Sequence, residues 1–270
     1  MKTIFITGAT RGIGRETASL FAGRGWRVLG CGRDQHLIEE TNTALGHPHQ
    51  IFHMDVTNDE DVKLGMETLM QLTGGKAPDV LLNNAGYQEL GPVEDLSIDT
   101  WKAQFDTNVY GYLRMIQAIV PHMRKRGEGR VINISSVAGQ VVFPFYGAYC
   151  ASKHAVEAIS DALRMELKPF GIKVSMIEPG PMISNINFTG FANLQKNRPS
   201  GSAYEAYYKS GPKELDHIER ISKPTELVSE AIWKAATSSL PWARYKVTWL
   251  TRLAMLVKML PASISDRILS

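Results

Sequence analysis

Thr7-Gly8-Ala9-Thr10-Arg11-Gly12-Ile13-Gly14 follows the short apolar run Thr3 to Ile6 and leads into the amphipathic stretch Gly14 to Ala22. A strand, a glycine turn and a helix in that order open a βαβ unit. Glycines at such a turn let the backbone bend tightly and approach a pyrophosphate, which then sits on the helix N-terminus. Outward from this turn the alternation continues. Strand-like runs lie at Arg27 to Leu29, Gln50 to Met54, Val80 to Leu82, Val131 to Ile134 and Lys173 to Ile177. Helical patterns separate them at Gln35 to Ala44, Glu60 to Leu72, Thr100 to Arg126 and Tyr149 to Lys168. Repeated units of this kind predict an α/β fold, a doubly wound parallel sheet in a single domain over 1–270. Crossovers are then right-handed, and ligands bind at the carboxyl ends of the strands. The glycine spacing is G-x-x-x-G-x-G, which differs from the G-x-G-x-x-G fingerprint of many dinucleotide folds.

The chain of 270 residues is 44% apolar, 9% aromatic and 21% charged, which excludes disordered, collagen-like and disulfide-scaffold classes. Its net charge is +3, from 30 basic and 27 acidic residues, so no nucleic-acid partner is expected. The basic stretch Arg124-Lys125-Arg126 reads as the last turn of a helix, where cations suit the dipole. Cys31 and Cys150 stand far apart in apolar settings. Neither a metal site nor a disulfide is expected from them, and a reducing, cytoplasmic compartment fits. The first strand begins at once, leaving no room for a signal peptide, and no apolar run is long enough to span a membrane.

Tyr149-Cys150-Ala151-Ser152-Lys153 sets a phenol and an ammonium on one helix face. A cation beside a phenol favours the phenolate and lowers its pKa, making the tyrosine a usable proton donor and acceptor. Ser136 ends Asn133-Ile134-Ser135-Ser136, thirteen residues before Tyr149, where its hydroxyl can hydrogen-bond a substrate carbonyl. Serines at strand ends also serve as caps, and Ser135 is the better candidate for that duty. Asn83-Asn84-Ala85-Gly86 follows the run Val80-Leu81-Leu82. Asn108 interrupts a helical pattern in which Asn is unfavourable, marking a kink or a function. Glu178-Pro179-Gly180 closes the sixth strand-like run.

In order and spacing these motifs, from Thr3 to about Met182, resemble the classical-type short-chain dehydrogenase/reductases. The resemblance implies a Rossmann fold and an oxidoreductase acting on CH–OH groups. It makes Asn108, Ser136, Tyr149 and Lys153 the catalytic residues. In that scheme Tyr149 protonates the carbonyl oxygen and Ser136 orients it, while Lys153 lowers the Tyr149 pKa and holds the nicotinamide ribose. Asn108 holds a water linking Lys153 to solvent. The resemblance places the cofactor on Gly8, Thr10, Arg11, Gly12, Ile13 and Gly14, on Asn84, Ala85 and Gly86, and on Pro179, Gly180 and Met182. Asp55, with Val56 beside it, matches the position that contacts the adenine amino group.

By the same resemblance, Gly32 stands where NAD-specific members carry Asp, and Arg33 follows it. Arg11 reaches the same place, and Thr10 adds a hydroxyl. Two guanidinium groups around one phosphate make charge-assisted pairs, so NADP(H) is the expected cofactor. Asp34 is the opposing signal, a ribose ligand if the turn is shifted. The preferred reading makes it the N-cap of the helix through Leu37 and Ile38.

Residues 180–224, rich in Pro, Gly, Asn, Ser and aromatics, are expected to form an inserted substrate loop acting as a lid. Val141, Val142, Phe143, Phe145 and Tyr146 should form one pocket wall. Met182, Ile183, Phe188, Phe191, Tyr204, Tyr207 and Tyr208 either line a bulky apolar pocket or pack the lid onto the body. Residues 249–260 read as an amphipathic helix with Leu250, Leu253, Leu256, Val257 and Leu260 on one stripe. That stripe packs on its own domain, on a subunit partner, or weakly on a membrane. Arg244-Tyr245-Lys246-Val247 is similar to a segment of relatives with steroid- or retinol-type substrates, although the continuation departs from theirs. The expected substrate is a bulky apolar carbonyl or secondary alcohol, steroid-, retinoid- or lipid-like. The alternatives are a 3-oxoacyl-thioester reductase and a non-catalytic NADP(H)-binding sensor. Relatives pair through the helices corresponding to Thr100–Arg126 and Tyr149–Lys168, so a homodimer or homotetramer is expected, with Ala155, Ile159 and Leu163 on an outward stripe.

Overall fold

The computed structural model describes residues 1–269, leaving aside the side chains of Asn185, Pro212 and Glu214. Its strands are β1 (Thr3–Thr7), β2 (Arg27–Gly32), β3 (Gln50–His53), β4 (Val80–Asn83), β5 (Gly129–Ile134), β6 (Ile172–Glu178) and β7 (Arg244–Lys246). All pair in parallel, in the order β3-β2-β1-β4-β5-β6-β7. The chain runs outward twice from β1, and the reversal between β1 and β4 is the switch point at which such sheets bind ligands. The six strand-like runs of the sequence became β1 to β6. The short edge strand β7 arises from the Arg244-Tyr245-Lys246 segment.

Both faces of the sheet are covered, and strand alternation sorts side chains between them. Ile4 and Ile6 of β1 pack with Ala18 and Phe21 of α1 (Gly12–Gly23), Ile38 of α2 (Gln35–Leu45), and Val228 and Ile232 of α9 (Glu226–Thr237). Phe5, between them, faces the other way. It meets Leu69 of α3 (Asp59–Thr73), Met115 and Ile119 of α5 (Gly111–Arg126), and the layer that Leu167 of α6 (Gly147–Leu167) joins. Phe5 is fully buried, and burial of such a ring contributes roughly 1.5–3 kcal/mol.

Helix starts obey local chemistry. Asp34 accepts from the Leu37 amide at 3.2 Å to cap α2, and Asn58 accepts from the Glu60 and Asp61 amides to cap α3. Arg124, Lys125 and Arg126 form the last turn of α5 before Gly127. The pattern expected as one helix from Thr100 to Arg126 is interrupted. Helix α4 (Ile98–Phe105) passes into a single π-helical turn, Asp106–Tyr110, before α5 resumes, and Asn108 sits in that turn.

The segment 180–224 is not a loop. It contains α7 (Asn185–Lys196) and α8 (Glu205–Ile221), which pack through Phe191, Leu194, Tyr207 and Tyr208 around Leu90. Its two ends meet: Ile183 donates to the Lys223 carbonyl at 2.9 Å, and Lys223 donates to the Pro181 carbonyl at 3.1 Å. The chain ends in α10 (Trp249–Lys258) and α11 (Ala262–Leu269). Among the described residues no helix is long and apolar enough to cross a membrane.

Candidate active site

A cleft of about 1390 Å³ opens at the carboxyl ends of the strands. That exceeds the ~300–1,000 Å³ usual for one small ligand. One side is built by the ends of β1, β2, β4, β5 and β6, the other by α7, α8 and the two C-terminal helices.

The glycine turn forms the floor below β1. Gly8 has φ +66°, a left-handed conformation that a side chain disfavours. A Cβ on Gly14 would lie 2.1 Å from the Gly8 carbonyl oxygen and 2.7 Å from Asn84 Nδ2, so only glycine lets α1 start this close to the turn. Gly14 does not line the cleft; its contribution is this close packing, whereas Gly8, Thr10, Arg11, Gly12 and Ile13 do line it. Arg11, the residue before α1, makes no side-chain capping hydrogen bond, which leaves the first amides of the helix to a ligand. Asn84 holds the turn from across the sheet: its Nδ2 donates to the Thr7 and Gly8 carbonyls at 2.9 and 3.1 Å. Thr7 Oγ1 accepts in return from the Asn84 and Ala85 amides. Ala85, Gly86, Val56, Pro179, Gly180 and Met182 also line the cleft.

Beyond β2 stand two arginines and two acids. Arg11 is 2.8 Å from Asp34, and Arg33 is 3.5 Å from Asp55, so each guanidinium already leans on a carboxylate. Asp34 caps α2 as expected and takes Arg11 on its other oxygen. Burial works to raise the Asp55 carboxyl, but hydrogen bonds from Thr57 and the charge of Arg33 outweigh it and hold the pKa below the usual value. A Cβ on Gly32 would come within 2.7 Å of the Thr10 methyl, leaving no room there for an acidic side chain.

Ser136, Tyr149 and Lys153 converge at the inner end, all nearly buried and all lining the cleft. Ser136 Oγ accepts from the Ala138 amide at 3.1 Å, and its hydroxyl faces the Tyr149 phenol. The capping duty assigned to Ser135 thus falls to Ser136, because the strand ends in a tight turn at Val137–Gly139 for which Ser136 is the residue before the first helical position. Ser135 Oγ is buried without a hydrogen-bond partner. Burial pushes the Tyr149 phenol up to about 12, with the Ser136 hydrogen bond opposing. The phenol is therefore raised, not lowered as the Tyr–Lys spacing alone predicts. Lys153 is itself depressed to about 8 by burial, against the charge of Glu157. Its ammonium donates to the Ile134 carbonyl at 2.8 Å and lies 5.8 Å from the centre of the Tyr149 ring.

Asn108 is fully buried and does not line the cleft. Its Oδ1 accepts from the Tyr87 amide at 3.1 Å, and its Nδ2 donates to the Tyr87 carbonyl and to Ser152 Oγ. Through these bonds the Asn108 side chain ties the β4 loop to α6. A second polar ladder, unforeseen in the sequence, runs from Asn83 Nδ2 to Asn133 Oδ1 at 2.9 Å and from Asn133 Nδ2 to Ser160 at 2.8 Å. It locks β4, β5 and α6 together beneath the site.

A family model described as short chain dehydrogenase matches residues 2–193. The chain belongs to the short-chain dehydrogenase/reductase family. Members are oxidoreductases that use a nicotinamide cofactor. The chain is 33% identical over 251 residues to an NADPH-dependent 3-dehydrocapnine reductase of Ornithobacterium rhinotracheale, covering 92% of this chain and 88% of that protein. It is 35% identical over 271 residues to the uncharacterized oxidoreductase YbbO of Escherichia coli K12, covering 99% of this chain and 94% of the other. A short-chain dehydrogenase from Streptomyces avermitilis superposes with a TM-score of 0.82 at 28% identity, over 99% of this chain and 94% of that one.

Around this family core the aromatics divide. Phe143, Phe145, Tyr146, Met182 and Tyr207 line the cleft, and Phe145 stacks on Tyr207 with ring centres 3.5 Å apart. Phe191 and Tyr208 instead form the core between α7 and α8, and Ile183 and Phe188 are exposed. Much of the apolar wall comes from residues not singled out as pocket-forming: Ile186, Ile218, Ile221, and Leu250, Leu253 and Val257 of α10. The α10 stripe seen in the sequence was the available signal: Leu250, Leu253 and Val257 of it turn toward the cleft, whereas Leu256 and Leu260 are exposed.

Proposed function

We propose that this protein is an NADPH-dependent reductase of bulky, apolar ketones or aldehydes. The observation that carries the reading is the convergence of Ser136, Tyr149 and Lys153 at the closed end of a cleft whose outer walls are aliphatic and aromatic.

The residues present suit a nicotinamide dinucleotide. The uncapped start of α1 and the glycine turn suit a pyrophosphate, Asp55 suits the adenine, and Asn84 to Gly86 with Pro179 to Met182 suit the remainder. Preference for a 2′-phosphate is supported by Arg11 and Arg33 at the cleft mouth and by the crowding of Gly32 against Thr10. Surface ion pairs contribute about 0–1 kcal/mol, so Asp34 and Asp55 yield these arginines to a phosphate at little cost. The 3-dehydrocapnine reductase is NADPH-dependent by its name, which agrees.

When bound, the cofactor supplies hydride to the carbonyl carbon. The chain then has to hold the carbonyl oxygen and give it a proton. Ser136 and Tyr149 line the same inner end of the cleft, so one carbonyl oxygen can accept from both hydroxyls. Burial keeps the Tyr149 phenol protonated far above neutral pH, the form a reduction needs. Lys153, in its charged form, stabilises the phenolate left behind. Phe143, Phe145, Tyr146 and the α8 and α10 walls select an apolar body next to the carbonyl.

The test is oxidation of NADPH and of NADH against a panel of ketosteroids, retinal, aromatic ketones and acetoacetyl thioesters, with Tyr149→Phe as the control. Turnover with NADPH on the apolar members, lost in the variant, is the expected result. Faster turnover with NADH would transfer the ribose contact to Asp34, and a preference for the thioesters would replace the substrate class.

A further inference from the structure

The outer face of the two C-terminal helices is apolar where a protein surface is ordinarily polar. Trp249, Leu253, Leu256 and Leu260 follow one another at helical spacings along α10 and the turn after it, and all four are exposed. Met259, at 82% exposed, stands beside them. On α11, Ile264 and Ile268 lie one turn apart and are exposed too. Helix α10 packs on the domain through another face, with Thr251, Ala254 and Val257 buried. The outward stripe is left over after that packing. Single exposed apolar side chains are ordinary, whereas a contiguous row marks a surface that meets a partner.

Two further observations say what that partner is. From Trp249 to Leu269 the charged residues, all exposed, are Arg252, Lys258 and Arg267 against the single acid Asp266. The row also runs into the cleft, because Leu253 and Ile268 are exposed and line it as well, beside the less exposed Leu250 and Val257. We propose that α10 and α11 lie in the headgroup region of an anionic lipid bilayer, and that apolar carbonyl substrates pass from the bilayer into the cleft past Leu253 and Ile268. The route rests on the reading of the protein as a reductase of apolar carbonyls; the docking does not.

Cations beside a face of tryptophan and aliphatic residues are the composition of a helix that lies in the membrane interface. Basic residues at that level are drawn to anionic headgroups, and the ring of Trp249, at the start of α10, suits the same depth. The contact is peripheral. Helix α10 has 10 residues and α11 has 8, so the longer is roughly 15 Å, half of the ~30 Å of hydrocarbon in a bilayer. A second copy of the chain fits the face less well. A two-fold pair sets one patch against itself, which would gather the cations of both copies in one interface. It would also close the mouth at Leu253 and Ile268, whereas a fluid bilayer leaves that mouth open to an apolar molecule.

The decisive experiment is co-sedimentation of the whole protein with vesicles of phosphatidylcholine, alone or mixed with phosphatidylglycerol. Binding to the mixed vesicles is expected, weaker on phosphatidylcholine alone and weakened by salt. Leu256→Asp with Met259→Asp charges the outer face without touching the cleft, since both side chains are exposed and neither lines it. That variant should lose vesicle affinity by about tenfold or more and keep its melting temperature. Arg252→Gln and Arg267→Gln should each weaken binding to the mixed vesicles by about fivefold, and they carry the test if the aspartates unfold the helix. A wild type that sediments with neither vesicle overturns the docking, as does a double aspartate variant that binds like wild type. Sedimentation velocity without vesicles gives the competing outcome: a smaller assembly in the double variant than in the wild type would assign the face to a second copy. Turnover tests the route. A long-chain ketone presented in mixed vesicles should be reduced about tenfold more slowly by the double variant, and a small water-soluble ketone at the wild-type rate. Equal rates on the vesicle-borne ketone would overturn the route and leave the docking. Vesicle binding with no turnover of any carbonyl would count against the reductase reading and leave the docking standing.

Discussion

The two walls of the cleft are made differently. On the strand side, nearly every functional side chain is held by a second polar group from another element. Asn84 is tied to Thr7 and Gly8, Asn108 to Tyr87 and Ser152, Asn133 to Asn83 and Ser160, and Lys153 to Ile134. On the helical side, the wall is Ile186, Ile218, Ile221, Leu250, Leu253 and Val257, held by packing with few directional contacts. Hydrogen bonds fix atoms to tenths of an ångström, whereas apolar contacts accept changes of shape at modest cost. The difference assigns bond-making geometry to one wall and choice of substrate to the other. Substitutions on the first should then change kcat steeply, and those on the second should change KM gently.

The steepest change should come from Tyr149→Phe. It removes the proton donor while keeping the ring in its buried place, so kcat should fall by about 10²–10⁴-fold with little change in melting temperature. Retention of more than a tenth of wild-type kcat would show that the proton comes from elsewhere, and the polar wall would lose its claim to the chemistry. A smaller effect belongs to the pair Arg11→Ala and Arg33→Ala. Hydrogen bonds to charged groups contribute about 1.5–3 kcal/mol, so the double variant should lower the NADPH-over-NADH ratio of kcat/KM by about 10–100-fold. Its kcat at saturating cofactor should hardly change, because these residues lie at the cleft mouth, away from Tyr149. An unchanged ratio would leave Asp34 and Asp55 as permanent partners of the two arginines.

The same division explains which parts of the molecule could be read from the chain alone. Glycines and polar residues at strand ends announce themselves, because Gly8, Asn84 and Ser136 break the apolar pattern at the points where strands stop. The helical wall does not. Helix α8 runs through Ser210-Gly211-Pro212, a stretch that reads as a helix breaker, and it survives because tertiary packing overrides local preference. Gly211 sits against Leu194 and Phe191 of α7, close enough that an added Cβ would be in van der Waals contact with both. Burial was the other hidden quantity. Spacing places an ammonium near Tyr149, but only the folded surroundings show that burial raises the phenol. Likewise the spacing to Tyr149 singles out Ser136 and leaves the cap to Ser135, whereas the turn at Val137–Gly139 makes Ser136 the cap as well.

The gentlest prediction tests the apolar wall itself. Leu250 and Leu253 lie on the same stripe of α10, line the cleft and keep part of their surface exposed. A methylene group fully withdrawn from water contributes about 0.8 kcal/mol, and a partly exposed leucine recovers only a fraction of that on binding. Leu250→Ala with Leu253→Ala should therefore raise KM for a bulky apolar ketone by roughly 5–30-fold. The KM for NADPH and the kcat for a small ketone should stay within about twofold, because neither depends on α10 if the division of labour holds. The informative failure is a fall in kcat for the small ketone. Helix α10 also reaches Glu178 through Lys258 and Gln140, at 3.1 and 3.2 Å. A kcat effect would mean that the apolar wall bears on the chemistry as well as on the choice of substrate.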